Sequence, residues 1–447
     1  MEILGLVLGL AILIVLVFKK VPAVISVIVA ALVAGAFNAM EPWTALNTLA
    51  KGTGNTFSAY FFVFFLATLY GELMYATGCA NAISDALVKV FGKKQVILII
   101  VLTTGLLVYG GVTAMVVCFT VFPIGVSLLK EANISKKFLP GLIAFGQATF
   151  ALTALPGTPQ LNNIIPTEAF GTTSTAAPLL GVIAAVVMFV LGILYFSFVI
   201  KKSKAKGEGF EEADNVENEE KLDLKSKPNW ILGFLPLLIL VGSYIALENI
   251  NFWGYRFKDH GTYSAVSTAM FIAIIYLIIL GFTKTCHKDN LIKTLKSGCV
   301  SWVMPLLNFS MIVGFGSVIQ ATKGFEQLVQ VALNIPGPAY VSAAISVCLL
   351  AGVTGSASGG MKIALGSEAL VENWLASGAD PSALHRIASV SSGGLDSLPH
   401  CGGILATLEV CKETHSRAYI HIFVTTVIIP IIATAIIVLL ASLGVVI

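Results

Sequence analysis

Twice along its 447 residues this chain interrupts long apolar runs, at places that match between its halves. In the first half, Gly111-Val112-Thr113 breaks one run, and Leu155-Pro156 inside LPGTPQLNN (155–163) breaks the next. In the second half, Gly352-Val353-Thr354 and Leu398-Pro399 inside SGGLDSLPHCGG (392–403) do the same. Thr113 and Pro156 are 43 residues apart, Thr354 and Pro399 are 45, so the two halves keep one register. Glycine- and proline-broken hydrophobic segments at corresponding positions mark a binding site inside a membrane.

The surrounding sequence leaves little room for another solvent. With 57% hydrophobic and 11% charged residues, and many runs able to cross about 30 Å of hydrocarbon, most of the chain belongs in a bilayer. The first apolar segment has Lys19 and Lys20 after it and no basic region before it, so it reads as a retained span rather than a signal peptide. A net charge of +3, spread along the chain, gives no footing for nucleic acid. The seven cysteines form no C-x-x-C pair, which argues against a disulfide framework and a zinc site, and no cofactor motif is present. Residues 201–228 carry 15 charges in 28 positions and read as a flexible cytoplasmic linker between the halves.

Lysine placement orients the rest, because short cytoplasmic loops carry the excess of Lys and Arg. With Lys19, Lys89, Lys93, Lys94, Lys130, Lys136, Lys137 and the 201–206 cluster inside, residues 1–200 form a first repeat. It contains a re-entrant hairpin at 95–130 and a broken span at 138–170. Residues 229–447 form a second repeat of opposite orientation, with a hairpin at 338–374 and a broken span at 384–411. The expected fold is an all-α polytopic membrane protein: two inverted-topology repeats, about ten spans, two re-entrant hairpins and two broken helices.

Chemistry is expected at the breaks. Unwound backbone inside a bilayer leaves polar groups unpaired, at several kcal/mol each, and survives only where protein or a wet cavity receives it. Half-helix N-termini can hold a carboxylate without an arginine, and nearby carbonyls and hydroxyls can take a cation or a substrate hydroxyl. The candidate binding residues are Gly111, Thr113, Thr158, Gln160, Asn162, Asn163, Thr354, Ser356, Ser358 and Ser397, with Thr153, Ser391 and Ser392 nearby. Each hydroxyl also has a plain structural use, bonding the carbonyl four residues back or joining helices. Asp396 and His400 flank Pro399 at membrane depth, where ionisable groups are costly and functional by default. Histidine titrates near neutral pH, so they are the candidates for proton coupling; a helix cap and a neutral, bonded imidazole are the alternative. Glu72, Glu168, Lys362 and Glu368 are weaker candidates, and Arg386 is placed at the outer end of a span.

These stretches carry a resemblance. GGVTAMVVCFTVFPIG (110–125), TALPGTPQLNN (153–163), GVTGSASGGMKIAL (352–365) and GGLDSLPHCGG (393–403) resemble the gluconate:proton symporter family of the ion transporter superfamily, over nearly the whole chain. Within it they are most similar to the branch associated with 3-hydroxybutyrate and short-chain acids. The resemblance implies a homodimeric scaffold, an elevator-type transport unit of hairpins and broken spans, and import of a small hydroxy-carboxylate with a proton across a bacterial inner membrane. Sodium coupling, and a sodium/proton antiporter of the same superfamily, stay open. An intramembrane enzyme built on Ser397 and His400 has no G-x-S-x-G or H-E-x-x-H motif behind it.

Overall fold

A computed structural model describes residues 1–19, 21–110, 112, 114–158, 160–210, 226, 228–249 and 264–446. Most of the linker, together with Gly111 and Thr113, lies outside the described residues. The described chain is helical throughout, with no β-strand. The first half runs α1 (Glu2–Phe18), α2 (Ala23–Phe37), α3 (Pro42–Ala76), α4 (Cys79–Phe91), α5 (Val96–Tyr109), α6 (Ala114–Glu131), α7 (Leu139–Ala148), α8 (Leu161–Phe170) and α9 (Pro178–Ala205). The second half runs α10 (Trp230–Asn249), α11 (Ser264–Leu280), α12 (Lys288–Gly298), α13 (Val303–Gln320), α14 (Lys323–Leu333) and α15 (Ala339–Thr354). It continues with α16 (Ala357–Leu365), α17 (Glu368–Ala376), α18 (Pro381–Ser391), α19 (Gly402–Val410), α20 (His415–Phe423) and α21 (Ile429–Ser442).

Among the described residues, five helical segments are long and apolar enough to cross a membrane. On α9 the reason is visible residue by residue. Leu180, Ala184, Met188, Phe196 and Ile200 are buried in the protein, while Leu179, Val182, Val186, Val190, Leu194 and Phe198 form an equally apolar stripe on the exposed face. A helix apolar on both faces has lipid, not water, on its outer side.

Helix contacts exchange between the halves. α3 packs on α13 and α9 on α21, each helix meeting its counterpart. Several other contacts come in pairs swapped across the halves, α2 with α13 and α11 with α3, α1 with α14 and α10 with α4, α8 with α18 and α19 with α7, while α5 with α7 and α15 with α18 pair within each half.

Three features depart from the expected spans. α3 is 35 residues long, about 52 Å at the usual helical rise, longer than one crossing of the hydrocarbon needs. α4 and α14, the equivalent amphipathic helices before each hairpin, were not read as elements; half-polar segments give too weak a hydropathy signal. α4 then turns by 107° into the helix running from Lys93 to Tyr109, at Gly92, whose φ of +83° favours glycine. The segment read as hairpin 338–374 carries a third helix, α17, after a stop at Gly366.

α5 has 14 residues and α16 only 9, about 21 Å and 14 Å, too short to cross the hydrocarbon. Lys93 meets Glu131 at 2.7 Å, so the hairpin of α5 and α6 starts and ends on the same side. Lys204 Nζ donates to the Ala132 carbonyl at 2.8 Å, and Lys137 pairs with Glu208, which brings the start of the linker to the same end.

Candidate functional site

The two innermost helices are the first halves of the broken spans. Residues 139–147 of α7 and 383–391 of α18 are buried on every side. α7 ends in a π-helical turn, Phe150–Ala154, then gives way to extended chain at Leu155, and helix resumes at Leu161. α18 stops at Ser391, and helix resumes at Gly402. Pro156 and Pro399 account for the interruptions, since each lacks a donor and restricts the residue before it.

Each break is tied to the tip of its own hairpin by a side chain. Gln160 Nε2 donates to the carbonyls of Val108 at 2.7 Å and Val112 at 3.2 Å, and Tyr109 Oη donates to the Pro156 carbonyl at 3.1 Å. In the second half, His400 Nε2 lies 2.9 Å from the Gly352 carbonyl. A carbonyl only accepts, so Nε2 carries the proton; Nδ1 is then buried with no partner.

Tip two is the better-described of the two. α15 ends at Gly355, with φ +61°, and Ser356 caps α16 by accepting the Gly359 N–H at 3.1 Å. The arms then cross in backbone contact: a Cβ on Gly360 would stand 2.1 Å from the Ala351 nitrogen. Thr354 Oγ1 bonds the Leu350 carbonyl at 2.8 Å and the Ser356 carbonyl at 3.1 Å. Ser358 is half-buried on α16.

Break one and the start of break two lie against each other. Asn162 Nδ2 donates to Ser392 Oγ at 2.9 Å, and Ser389 Oγ donates to the Thr153 carbonyl at 2.9 Å. Asn163 is committed to the protein at both ends of its amide, with Nδ2 donating to the Thr158 and Ser174 carbonyls at 2.8 Å each. Thr158 is fully buried and its hydroxyl has no partner. Ser397 Oγ donates to Asp396 Oδ1 at 2.9 Å, and the Ser397 carbonyl accepts Tyr419 Oη at 3.1 Å. Asp396 is 6% exposed, and no hydrogen bond joins it to His400. Among the weaker candidates, Glu72 accepts Ser301 Oγ at 2.6 Å between α3 and the turn before α13, while Glu168, Lys362 and Glu368 are exposed.

A cavity of about 610 Å³ opens where tip two and break two face the long helices. Thr354, Gly355, Ser356, Gly359, His400, Gly402 and Gly403 form one wall; Leu10, Tyr60, Phe309, Ile312, Val313, Ser317 and Gln320 are on the other. The N-terminal ends of α16 and α19 therefore both border it, and no Lys, Arg, Asp or Glu lines it. Below the cavity the same seam closes with Gly402 against Phe309 and Val313, and with Asn308 Nδ2 donating to Glu409 at 3.0 Å.

Sequence reasoning missed Tyr60, Gln320, Asn308 and Glu409, because nothing local marks which face of a long apolar helix meets the breaks. It also misplaced Arg386. That side chain is fully buried and sits against break one rather than at an outer end.

Helices that stop inside the protein, coupled tips and breaks, and a cavity bordered by helix ends within a lipid-facing shell define a multi-pass membrane transporter. Residues 1–394 match the model of the GntP family permeases, and the chain belongs to that family. It is similar to an uncharacterized transporter, YxjC, of Bacillus subtilis strain 168, at 35% identity over 83% of each chain. It is also similar to the high-affinity gluconate transporter of Escherichia coli K12, at 24% identity over 72% of this chain and 70% of that one. The family and these relatives are permeases and transporters, not enzymes. Asp396 and His400 lie just past the matched residues.

Proposed function

We propose that this permease is a proton-coupled symporter that brings a small hydroxy-monocarboxylate, 3-hydroxybutyrate, gluconate or a relative, across a bacterial inner membrane. The observation that carries the substrate class is the composition of the cavity wall. Two helix N-termini with Thr354 and Ser356 can receive one carboxylate and a hydroxyl, and no lining cation calls for a second carboxylate. The opposite wall is largely apolar, with Leu10, Phe309, Ile312 and Val313, which suits a short alkyl tail better than a polyol chain. The E. coli relative is named for gluconate, so gluconate is the comparison substrate.

The swapped helix contacts support two inverted repeats, 1–200 and 229–447, joined by the 201–228 linker. In this reading α3 and α13 are the fixed scaffold, dimerising with a second copy, while the hairpins and broken spans move past them as an elevator. Asp396 and His400 carry the proton: one is a carboxyl inside break two, the other an imidazole with a spare Nδ1 beside the cavity. Gly111 and Thr113 lie outside the described residues and stay candidates from the sequence alone.

Uptake of radiolabelled 3-hydroxybutyrate into proteoliposomes tests this, under an inward proton gradient without sodium, with gluconate, lactate and citrate as competitors. Accumulation that a protonophore abolishes, and that citrate does not compete, is the expected result. Uptake only when sodium is added would replace the proton by sodium, and uptake of none of these anions under either gradient would end the substrate reading.

A further inference from the structure

Arg386 is a fully buried cation with no anion. Its five N–H donors all meet neutral acceptors: Nε reaches the Ala176 carbonyl at 3.2 Å; Nη1 reaches the Ala154 carbonyl at 3.4 Å and Asn163 Oδ1 at 3.0 Å; Nη2 reaches the Ala176 and Ser174 carbonyls at 2.8 and 3.3 Å. No ion pair joins it to a carboxylate among the described residues. Burying an uncompensated charge is among the most expensive things a protein does, so its retention here asks for a use.

The neighbouring groups form one hydrogen-bonded network. Asn163 Nδ2 faces two carbonyls, so the amide orientation is set and Oδ1 must accept from both Arg386 Nη1 and His385 Nε2, the latter at 3.2 Å. His385 Nε2 therefore carries a ring proton, and Nδ1 lies 2.7 Å from the Thr172 hydroxyl, which can donate or accept. The guanidinium is the fixed positive charge of the cluster.

At break one, protein donors already occupy several of the carbonyls. The Ala154 carbonyl is held by Arg386, the Pro156 carbonyl by Tyr109 and the Thr158 carbonyl by Asn163. The buried Thr158 hydroxyl is left without a partner there, and it is able to donate. Break two, joined to it through Asn162 and Ser392, holds the buried, ionisable carboxyl of Asp396.

We infer that Arg386 is a positioning residue of the transport site: it rivets both ends of break one to the loop before α9, and its uncompensated charge makes the junction of the two breaks selective for an anion. This inference rests on the organic-anion reading above. Arg386→Lys against Arg386→Gln separates charge from position, while Asn163→Asp also gives up the two bonds that Nδ2 donates. Lysine keeps the charge but cannot form five bonds, glutamine loses the charge, and Asn163→Asp places a carboxylate on the guanidinium while keeping the side-chain size.

Half-saturation for 3-hydroxybutyrate exchange, measured without any ion gradient in proteoliposomes of the full chain, is the readout, alongside thermal unfolding in detergent. If the wild type exchanges none of the test anions, the function proposed above fails and Arg386 is not at issue. Given wild-type exchange, Arg386→Gln and Asn163→Asp should each raise half-saturation about tenfold or more, whereas Arg386→Lys should stay close to wild type despite a similar loss of thermal stability. Should Arg386→Gln not fold, Asn163→Asp alone decides. Equal losses of affinity in Arg386→Lys and Arg386→Gln would reduce Arg386 to a structural rivet, and unchanged affinity in Asn163→Asp would overturn the charge role.

Discussion

At the scale of single residues, the two breaks are most informative where a polar group has no protein partner. Thr158 holds a hydroxyl at full burial with nothing to bond, and an orphan of that kind costs about 1–3 kcal/mol. Thr158→Val keeps the shape and removes the orphan, so thermal unfolding should shift upward by that order while half-saturation for substrate rises; a fall in stability would mean that the hydroxyl is already satisfied. Asp396 presents the complementary case, a carboxyl whose one side-chain partner is the Ser397 hydroxyl. Asp396→Asn should abolish proton-driven accumulation yet leave substrate exchange measurable. Loss of both together, or of neither, would remove Asp396 from the coupling role. Asn162, Asn163 and Gln160 were legible as a polar cluster in LPGTPQLNN, but not their division of labour: Asn163 and Gln160 brace backbone, and Asn162 bridges to the other break. Side-chain partners so distant in sequence leave no local trace.

At the scale of elements, the hairpin of α15 and α16 rests on one absent side chain. Backbone atoms of Leu350 and Ala351 occupy the space that a Cβ on Gly360 would enter, and backbone cannot swing aside as a flexible side chain can. Gly360→Ala should cost about 1–3 kcal/mol and displace tip two from the cavity, lowering both thermal stability and uptake. Gly54→Ala is the matched control: nothing stands within 4 Å of the new methyl, and a helix gains roughly 0.5–1 kcal/mol from the exchange. Both helix breaks were readable from glycine and proline against an apolar background, because those residues act on the backbone wherever they stand. The helices α4 and α14 were not, since an amphipathic surface helix differs little from a loop in a mean hydropathy.

At the scale of the whole molecule, the seam between α13 and the second broken span is where any sliding must occur. Asn308 of α13 and Glu409 of α19 are 3.0 Å apart. Cysteines at both positions, in an otherwise cysteine-free chain, should crosslink and arrest transport if α19 moves past α13; undiminished transport after complete crosslinking would count against an elevator. The start of the linker offers a milder, pH-dependent contact. Hydrogen bonds from Lys137, then Ser203, hold the Glu208 carboxyl below its ordinary range. A depressed carboxyl contributes above its ordinary value and loses that contribution as pH falls through the lowered one. Proteolysis of the linker should therefore accelerate at acid pH, and Glu208→Gln should show the faster rate already at pH 7. From its sequence alone the chain fixed its solvent, its helical class and the four places where helices must break, because hydropathy and backbone chemistry are local properties. Which groups meet at those breaks was decided only by tertiary structure. Arg386 drew its carbonyl partners from more than 200 residues away, and the cavity wall came from α1, α3 and α13, whose sequences carry no mark of it.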